Sequence, residues 1–270
     1  MTTVATPPHP TDAAAPARHR PSARRLAHYT LRSVIAVLTD WAFLAFIVAM
    51  PTTMYLFFAG IYGDQVSTAG PIVAALMMVT MATYGGLGAA LNAGAQIQSE
   101  RSSGWFRQLM LTALTPMEFL LAKVITAVVV VVPGIGIVFV AGALRGVRMD
   151  AATWASSFVL LLGSLLPMVL LGLVLGLWLK QQVASAATTL TMLALSMLGG
   201  LWFPLDMLPA PMQTIGKLLP SYWAGQIGTW PLLPDAAFPL AGLQVIGVWT
   251  VGLVALGALG YRRAVRTSRR

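Results

Sequence analysis

The stretch Ser99-Glu100-Arg101-Ser102-Ser103-Gly104-Trp105-Phe106-Arg107-Gln108-Leu109-Met110-Leu111-Thr112-Ala113-Leu114-Thr115-Pro116 is a mixed-charge island between two long apolar runs. Gly104 breaks it. Beyond that point Trp105 and Leu109, then Phe106 and Met110, recur at i,i+4, which sets large apolar groups along one side of a short helix. Arg107 and Gln108 take other faces. Thr115-Pro116-Met117-Glu118 reads as a new helix start, with Thr115 as N-cap, Pro116 as first helical residue and Glu118 as reciprocal cap partner. The island is therefore predicted to be an amphipathic helix on a membrane surface, followed at once by a spanning helix.

Composition supports a membrane setting. Of 270 residues, 57% are hydrophobic and 9% charged, and the mean hydropathy is +0.78. A soluble domain carries about a quarter charged residues. With no cysteine, disulfides, iron–sulfur clusters and thiolate zinc sites are excluded. The net charge of +9 would suggest nucleic acid in a soluble protein. Here the placement of the charges matters more than their sum.

A span needs about 20 apolar residues. Charge-free windows place six of them: Trp41–Gly63, a second to about Ala95 after a turn at Gly70-Pro71, Val124–Leu144, Ala151–Leu179, Gln181–Leu205 and Ala236–Tyr261. Asp150 is the expected N-cap of the fourth, and Gly199-Gly200 ends the fifth. Pro51, Pro133 and Pro167 are expected to kink spans 1, 3 and 4. Trp41, Trp154, Trp178, Trp202 and Trp230 fall near the expected membrane interfaces. Residues 1–23 carry five prolines and read as a disordered basic tail rather than a signal peptide. Residues 24–262 form the membrane domain, and 263–270 a basic tail. Between Ser22 and Asp40, Leu26, Tyr29, Val34 and Val37 share a broad stripe while Arg24, Arg25, His28 and Arg32 stay polar, the pattern of an interfacial helix.

Six spans put both termini on one side. With that side cytoplasmic, fourteen Lys and Arg lie inside, against Arg145, Arg148 and Lys217 outside. Acidic residues divide evenly, so the bias is one of cations and the orientation is N-in and C-in. The Glu100 island is then cytoplasmic. The proline-broken stretch from Pro204 to Trp223 is external and too fragmented to span. It is expected to form short re-entrant helices in the outer leaflet.

Enzymatic motifs are missing. His9, His19 and His28 all precede the first span, which excludes an intramembrane Ser–His dyad. No HExxH and no G-x-x-x-x-G-K-[ST] occurs, so neither a zinc protease nor a P-loop ATPase is expected on this chain. No catalytic, metal or cofactor residue is assigned. The span interiors hold no carboxylate for ion coupling; Lys123 is expected to snorkel to the cytoplasmic face. Gly85-Gly86-x-Gly88 and Gly172-x-x-x-Gly176 permit close helix packing.

With these residues in place, the chain resembles the ABC-2 type transporter permeases, the membrane subunits of bacterial ATP-binding-cassette exporters. Glu100, Arg101, Gly104, Leu109, Leu114, Thr115 and Pro116 match the loop between spans 2 and 3. Pro204, Pro209, Pro220 and Tyr222 match the external segment after span 5. The resemblance implies an all-α polytopic membrane protein of six transmembrane helices. It implies that Glu100–Leu114 is a cytoplasmic coupling helix, with Glu100, Arg101, Gly104, Trp105, Phe106, Arg107, Leu109 and Met110 docking on a separate ATPase that carries ATP and magnesium. It makes the basic segment with Arg24, Arg25 and Arg32 a connecting helix, and Pro204, Pro209, Pro220 and Tyr222 part of an extracellular re-entrant gate. The implied partners are an ABC ATPase, a second permease copy or sibling, and membrane lipid, without nucleic acid, in the bacterial plasma membrane. The expected function is export of an amphiphilic or hydrophobic compound by a subunit that is not itself an enzyme. The alternative is a non-transporting sensor or immunity module on the same fold. Trp105 stands where the family often has Thr, which points to a partner groove with its own fit.

Overall fold

The computed structural model describes residues 23–62, 70–102, 116–233 and 235–268. They contain helices and no strand: α1 (Ala23–Leu38), α2 (Trp41–Tyr62), α3 (Gly70–Ser102), α4 (Pro116–Leu144), α5 (Ala151–Ser164), α6 (Leu166–Trp178), α7 (Gln181–Leu198), α8 (Ala210–Gly216), α9 (Pro220–Thr229) and α10 (Leu240–Ser268). Two 3-10 turns, Leu205–Met207 and Trp230–Leu232, flank the α8–α9 pair. Four stretches are long and apolar enough to cross a membrane: Ile72–Asn92, Leu121–Leu144, Ala151–Trp178 and Leu240–Gly260. Two shorter apolar stretches, Ile47–Ile61 and Gln182–Leu198, stand where the first and fifth spans are predicted.

α3 occupies the centre. It packs against α2, α4, α6, α7 and α9, and 67% of Ile72–Asn92 is buried. By contrast, only 11% of Leu240–Gly260 is buried, so α10 lies at the periphery against α6 and α9. The cause is a run of small residues. From Met81 to Leu91 every α3 residue is buried, and Gly85-Gly86-x-Gly88-Ala89-Ala90 lets neighbouring backbones come close. A Cβ on Gly85 would lie 2.6 Å from the Gly134 carbonyl of α4, and one on Gly134 3.0 Å from the Gly85 carbonyl. A Cβ on Gly172 of α6 would lie 2.7 and 2.8 Å from the carbonyls of Ala90 and Leu91. Without a hydrophobic drive between helices in lipid, such close packing is a principal source of association. Two buried hydroxyls bond within their own helices: Thr83 donates to the Val79 carbonyl at 2.8 Å and Ser196 to that of Met192 at 2.7 Å.

The three prolines behave differently. Pro51 and Pro133 lie inside continuous helices. Pro167 lies just after a break at Leu165, so the predicted fourth span is two helices, α5 and α6. Proline lacks the N–H and its ring clashes with the carbonyl four residues back, here that of Gly163. The fifth helix stops at Leu198, short of the predicted Leu205, and the last continues to Ser268, through most of the predicted basic tail. α3 likewise runs on past Ala95, so Glu100 and Arg101 occupy its final turn. Lys123 is not at the surface but buried, 3% exposed. On α1, which packs along α4, Leu31 and Ile35 are exposed beside His28 and Arg32, an amphipathic face suited to an interface.

Asp150 caps α5 as expected, accepting from the Thr153 amide at 3.1 Å and from its hydroxyl. Those bonds, the hydroxyl's first, hold its carboxyl below the ordinary value of 3.8. A depressed pKa stabilises the fold above the unfolded value, and the contribution fades as pH falls through the folded one. Asp150→Asn is therefore expected to flatten the pH dependence of melting below about pH 4, measured by scanning fluorimetry in detergent.

Gly172→Ala is expected to destabilise the chain by about 1–3 kcal/mol, because backbone rather than a side-chain tip must give way. Gly136→Ala, where an added Cβ meets nothing within 4 Å, is expected to be neutral or slightly stabilising. Melting of the purified variants by size-exclusion fluorescence checks both.

Candidate functional site

The proline-broken segment after α7 joins α2 and α3 in lining a cavity of about 470 Å³. Its construction starts at the end of α7. Gly199 caps the helix and Gly200 adopts φ +69°, a left-handed conformation that costs other residues roughly 1–2 kcal/mol. The chain then turns back across α3, and Pro204 enters the 3-10 turn Leu205–Met207. Pro209 precedes α8 and Pro220 begins α9, positions where a missing N–H leaves no bond unmade.

Both short helices are pinned to longer ones. The Ser221 hydroxyl, buried, donates to the Leu195 carbonyl of α7 at 2.7 Å. Indole N–H groups meet carbonyls that the end of α8 leaves open: Trp223 donates to Lys217 at 2.7 Å and Trp249 of α10 to Leu218 at 2.9 Å. Trp230 donates to Ala236 at 2.9 Å. Gln213 bonds the Leu208 carbonyl at 2.9 Å. Short helices at membrane depth need their ends satisfied by protein, and here they are.

The cavity is two-faced. α2 and α3 supply an apolar wall from Phe58, Leu76, Met77 and Met81. α9 supplies a polar stripe of Tyr222, Gln226 and Thr229, spaced four and three residues apart on one face. Thr80 and Thr229 donate back into their own helices, which leaves Tyr222, Gln226 and the Asp206 carboxylate as the groups open to a ligand. Burial, and then the nearby Asp206 charge, push the Tyr222 hydroxyl above its ordinary value of 10.0. The Phe58 and Phe203 rings meet edge to face at 6.0 Å. Trp202 stacks edge to face on Tyr84 at 5.7 Å. Its ring is packed against the protein, and its indole N–H is buried without a partner.

Of the four predicted gate residues, Pro204 and Tyr222 line this cavity, while Pro209 and Pro220 shape the helices beside it. Arg24, Arg25 and Arg32 lie on α1, with Arg32 exposed. Gly104, Trp105, Phe106, Arg107, Leu109 and Met110 fall outside the described residues.

The sequence profile of the ABC-2 type transporter family matches residues 25–231. That range covers the central bundle and the segment that builds the cavity. The chain belongs to the ABC-2 type transporter family. It is also 30% identical over 199 residues to "Putative transport permease YvfS" of Bacillus subtilis (strain 168), across 73% of this chain and 80% of that protein. The chain is accordingly a multi-pass membrane protein and the permease subunit of a transporter, and permeases of this family generally work with an ABC ATPase. For an ABC-2 permease, the cavity residues that sequence reasoning missed are Phe58, Thr80, Trp202, Asp206 and Gln226. Asp206 was the findable one, being the sole acid within the proline-broken stretch. The others come from separate helices.

Replacing Gly200 should loosen the cavity floor. Gly200→Ala is expected to lose about 1–2 kcal/mol and Gly200→Asn less, since Asn tolerates the left-handed region; the order of apparent melting temperatures in detergent tests this.

Proposed function

We propose that the chain is the permease of a bacterial ABC exporter that moves an amphiphilic or hydrophobic compound out of the cytoplasm or the inner leaflet of the plasma membrane. The observation that supports this reading is the cavity bordered by α2, α3, α9 and the turn from Gly199 to Asp206, whose lining combines apolar side chains with a polar stripe on α9. Pockets of roughly 300–1,000 Å³ suit drug-sized ligands. In this reading α2, α3, α4, α5–α6, α7 and α10 are six crossings with both termini cytoplasmic, and α8–α9 is an extracellular gate. α2, at 22 residues, is about 33 Å long and suffices for a crossing. α7 is shorter and is completed by the Gly199-Gly200 turn.

Work is supplied in trans. The chain itself catalyses nothing; ATP and magnesium sit on a separate ATPase, and a second permease copy or sibling completes the unit. Glu100 and Arg101, at the end of α3, head the segment that docks on that ATPase. Trp105, Phe106, Leu109 and Met110 are the anchoring groups, aromatic or adaptable side chains of the kind that dominate interfaces. Connecting residues Arg24, Arg25 and Arg32 on α1 lie against the same partner and the anionic lipid surface. Because α3 is also the helix on which the cavity is built, ATPase motion at one end reaches the other through a single rigid element. ATP closure then shifts the permease between access states.

The test is co-purification in mild detergent, followed by ATPase assay. A P-loop ATPase is expected to accompany the wild-type chain. The pair Trp105→Ala with Phe106→Ala is expected to release it, weakening the complex at least tenfold, about 1.4 kcal/mol, while the bundle remains folded. Glu100→Ala and Gly104→Pro are expected to abolish transport with assembly retained. A chain that purifies alone, with no associated ATPase under any mild condition, overturns the reading.

A further inference from the structure

We propose that the cavity bordered by α2, α3, α9 and the turn from Gly199 to Asp206 selects its ligand by charge, and binds a lipophilic monocation carrying aromatic or bulky apolar groups. This rests on reading the cavity as a cargo site and names the chemistry of the cargo. Among the described lining residues the only ionisable group that is charged at neutral pH is Asp206; no Lys, Arg or His is among them. Its carboxylate has no ion-pair partner among the described residues. It is close enough to Tyr222 to act on that hydroxyl.

The remaining open polar groups point the same way. The Gln226 amide oxygen and the Tyr222 hydroxyl oxygen can both accept from an ammonium, on the face that Asp206 adjoins. Also in the lining, Phe58 and Phe203 form one aromatic pair, and Trp202 pairs with the buried Tyr84. Ring faces attract cations and repel anions. Met77 and Met81 add an adaptable surface that fits varied apolar shapes. Arg145 and Lys217 are not among the lining residues. Arg145 lies over Gly60, and Lys217, at the end of α8, offers its carbonyl to Trp223. A neutral lipid would need none of these acceptors, and an anion would meet Asp206 with no cation in the wall.

The experiment uses the full chain in nanodiscs of zwitterionic lipid, with empty discs as blank. Radiolabelled tetraphenylphosphonium is the cation probe, triphenylphosphine oxide the neutral comparator and tetraphenylborate the anion. Saturable tetraphenylphosphonium binding is expected, with neither comparator competing at equal concentration. Asp206→Asn is expected to weaken it roughly tenfold and Asp206→Glu to retain it, while Phe203→Leu weakens it several-fold. Competition by the neutral or anionic probe with equal affinity overturns the inference, as does unchanged binding in a folded Asp206→Asn. The charge series on the wild-type chain decides the matter even if the variant fails to fold. ATP-driven transport confined to uncharged compounds would overturn this inference and leave the permease reading standing. Charge-selective binding with no associated ATPase would do the reverse.

Discussion

Backbone-to-backbone contact along α3 is the constraint on which the bundle depends. Between Gly85 and Leu91 the helix surface is nearly bare, and α4 and α6 approach until Gly134 and Gly172 stand against its carbonyls. In water such helices would be driven together by burial of apolar side chains. In lipid they are not, because hydrocarbon surrounds them either way. Dispersion between closely fitted surfaces and inter-helix hydrogen bonds must do the holding, so any atom that separates the backbones acts on the whole arrangement. Large buried groups such as Tyr55, Tyr84, Met78 and Leu165 fill the spaces that this close crossing leaves.

The segment after α7 obeys a different rule. There the chain stops, turns and starts again several times, each time exposing backbone groups that hydrocarbon cannot satisfy. Tryptophan supplies much of the answer. The indoles of Trp223 and Trp249 donate to the carbonyls of Lys217 and Leu218, and the Ser221 hydroxyl ties α9 to α7. Prolines begin or precede the short helices where no N–H is required. The cavity is a consequence: α9, tied to α7 through Ser221 and packed on α3, borders it together with the turn from Gly199 to Asp206.

Much of this was legible beforehand. Asp150 announced a helix start, Gly199-Gly200 a stop, and Pro204, Pro209 and Pro220 a segment of short, broken helices. Gly85 and Gly172 read as close-packing sites, and the structure places both against backbone. Other features were out of reach. Pro51 and Pro133 leave continuous helices whereas Pro167 sits beside a break. Trp202 stood at a plausible interface by position, yet its ring stacks on Tyr84, 118 residues earlier in the chain. Lys123 was expected at the surface and is buried.

The sequence by itself determined what depends on local chemistry and hydropathy: apolar helices, their order and the Asp150 cap. These follow from hydropathy, N–H accounting and charge, which act residue by residue. Only the tertiary structure decided which helix is central, which glycines touch, and that Phe58, Met77, Trp202, Asp206 and Gln226 border one space. Those facts depend on crossing points between helices distant in sequence, and a crossing is set jointly by two surfaces, neither of which records its partner in its own periodicity.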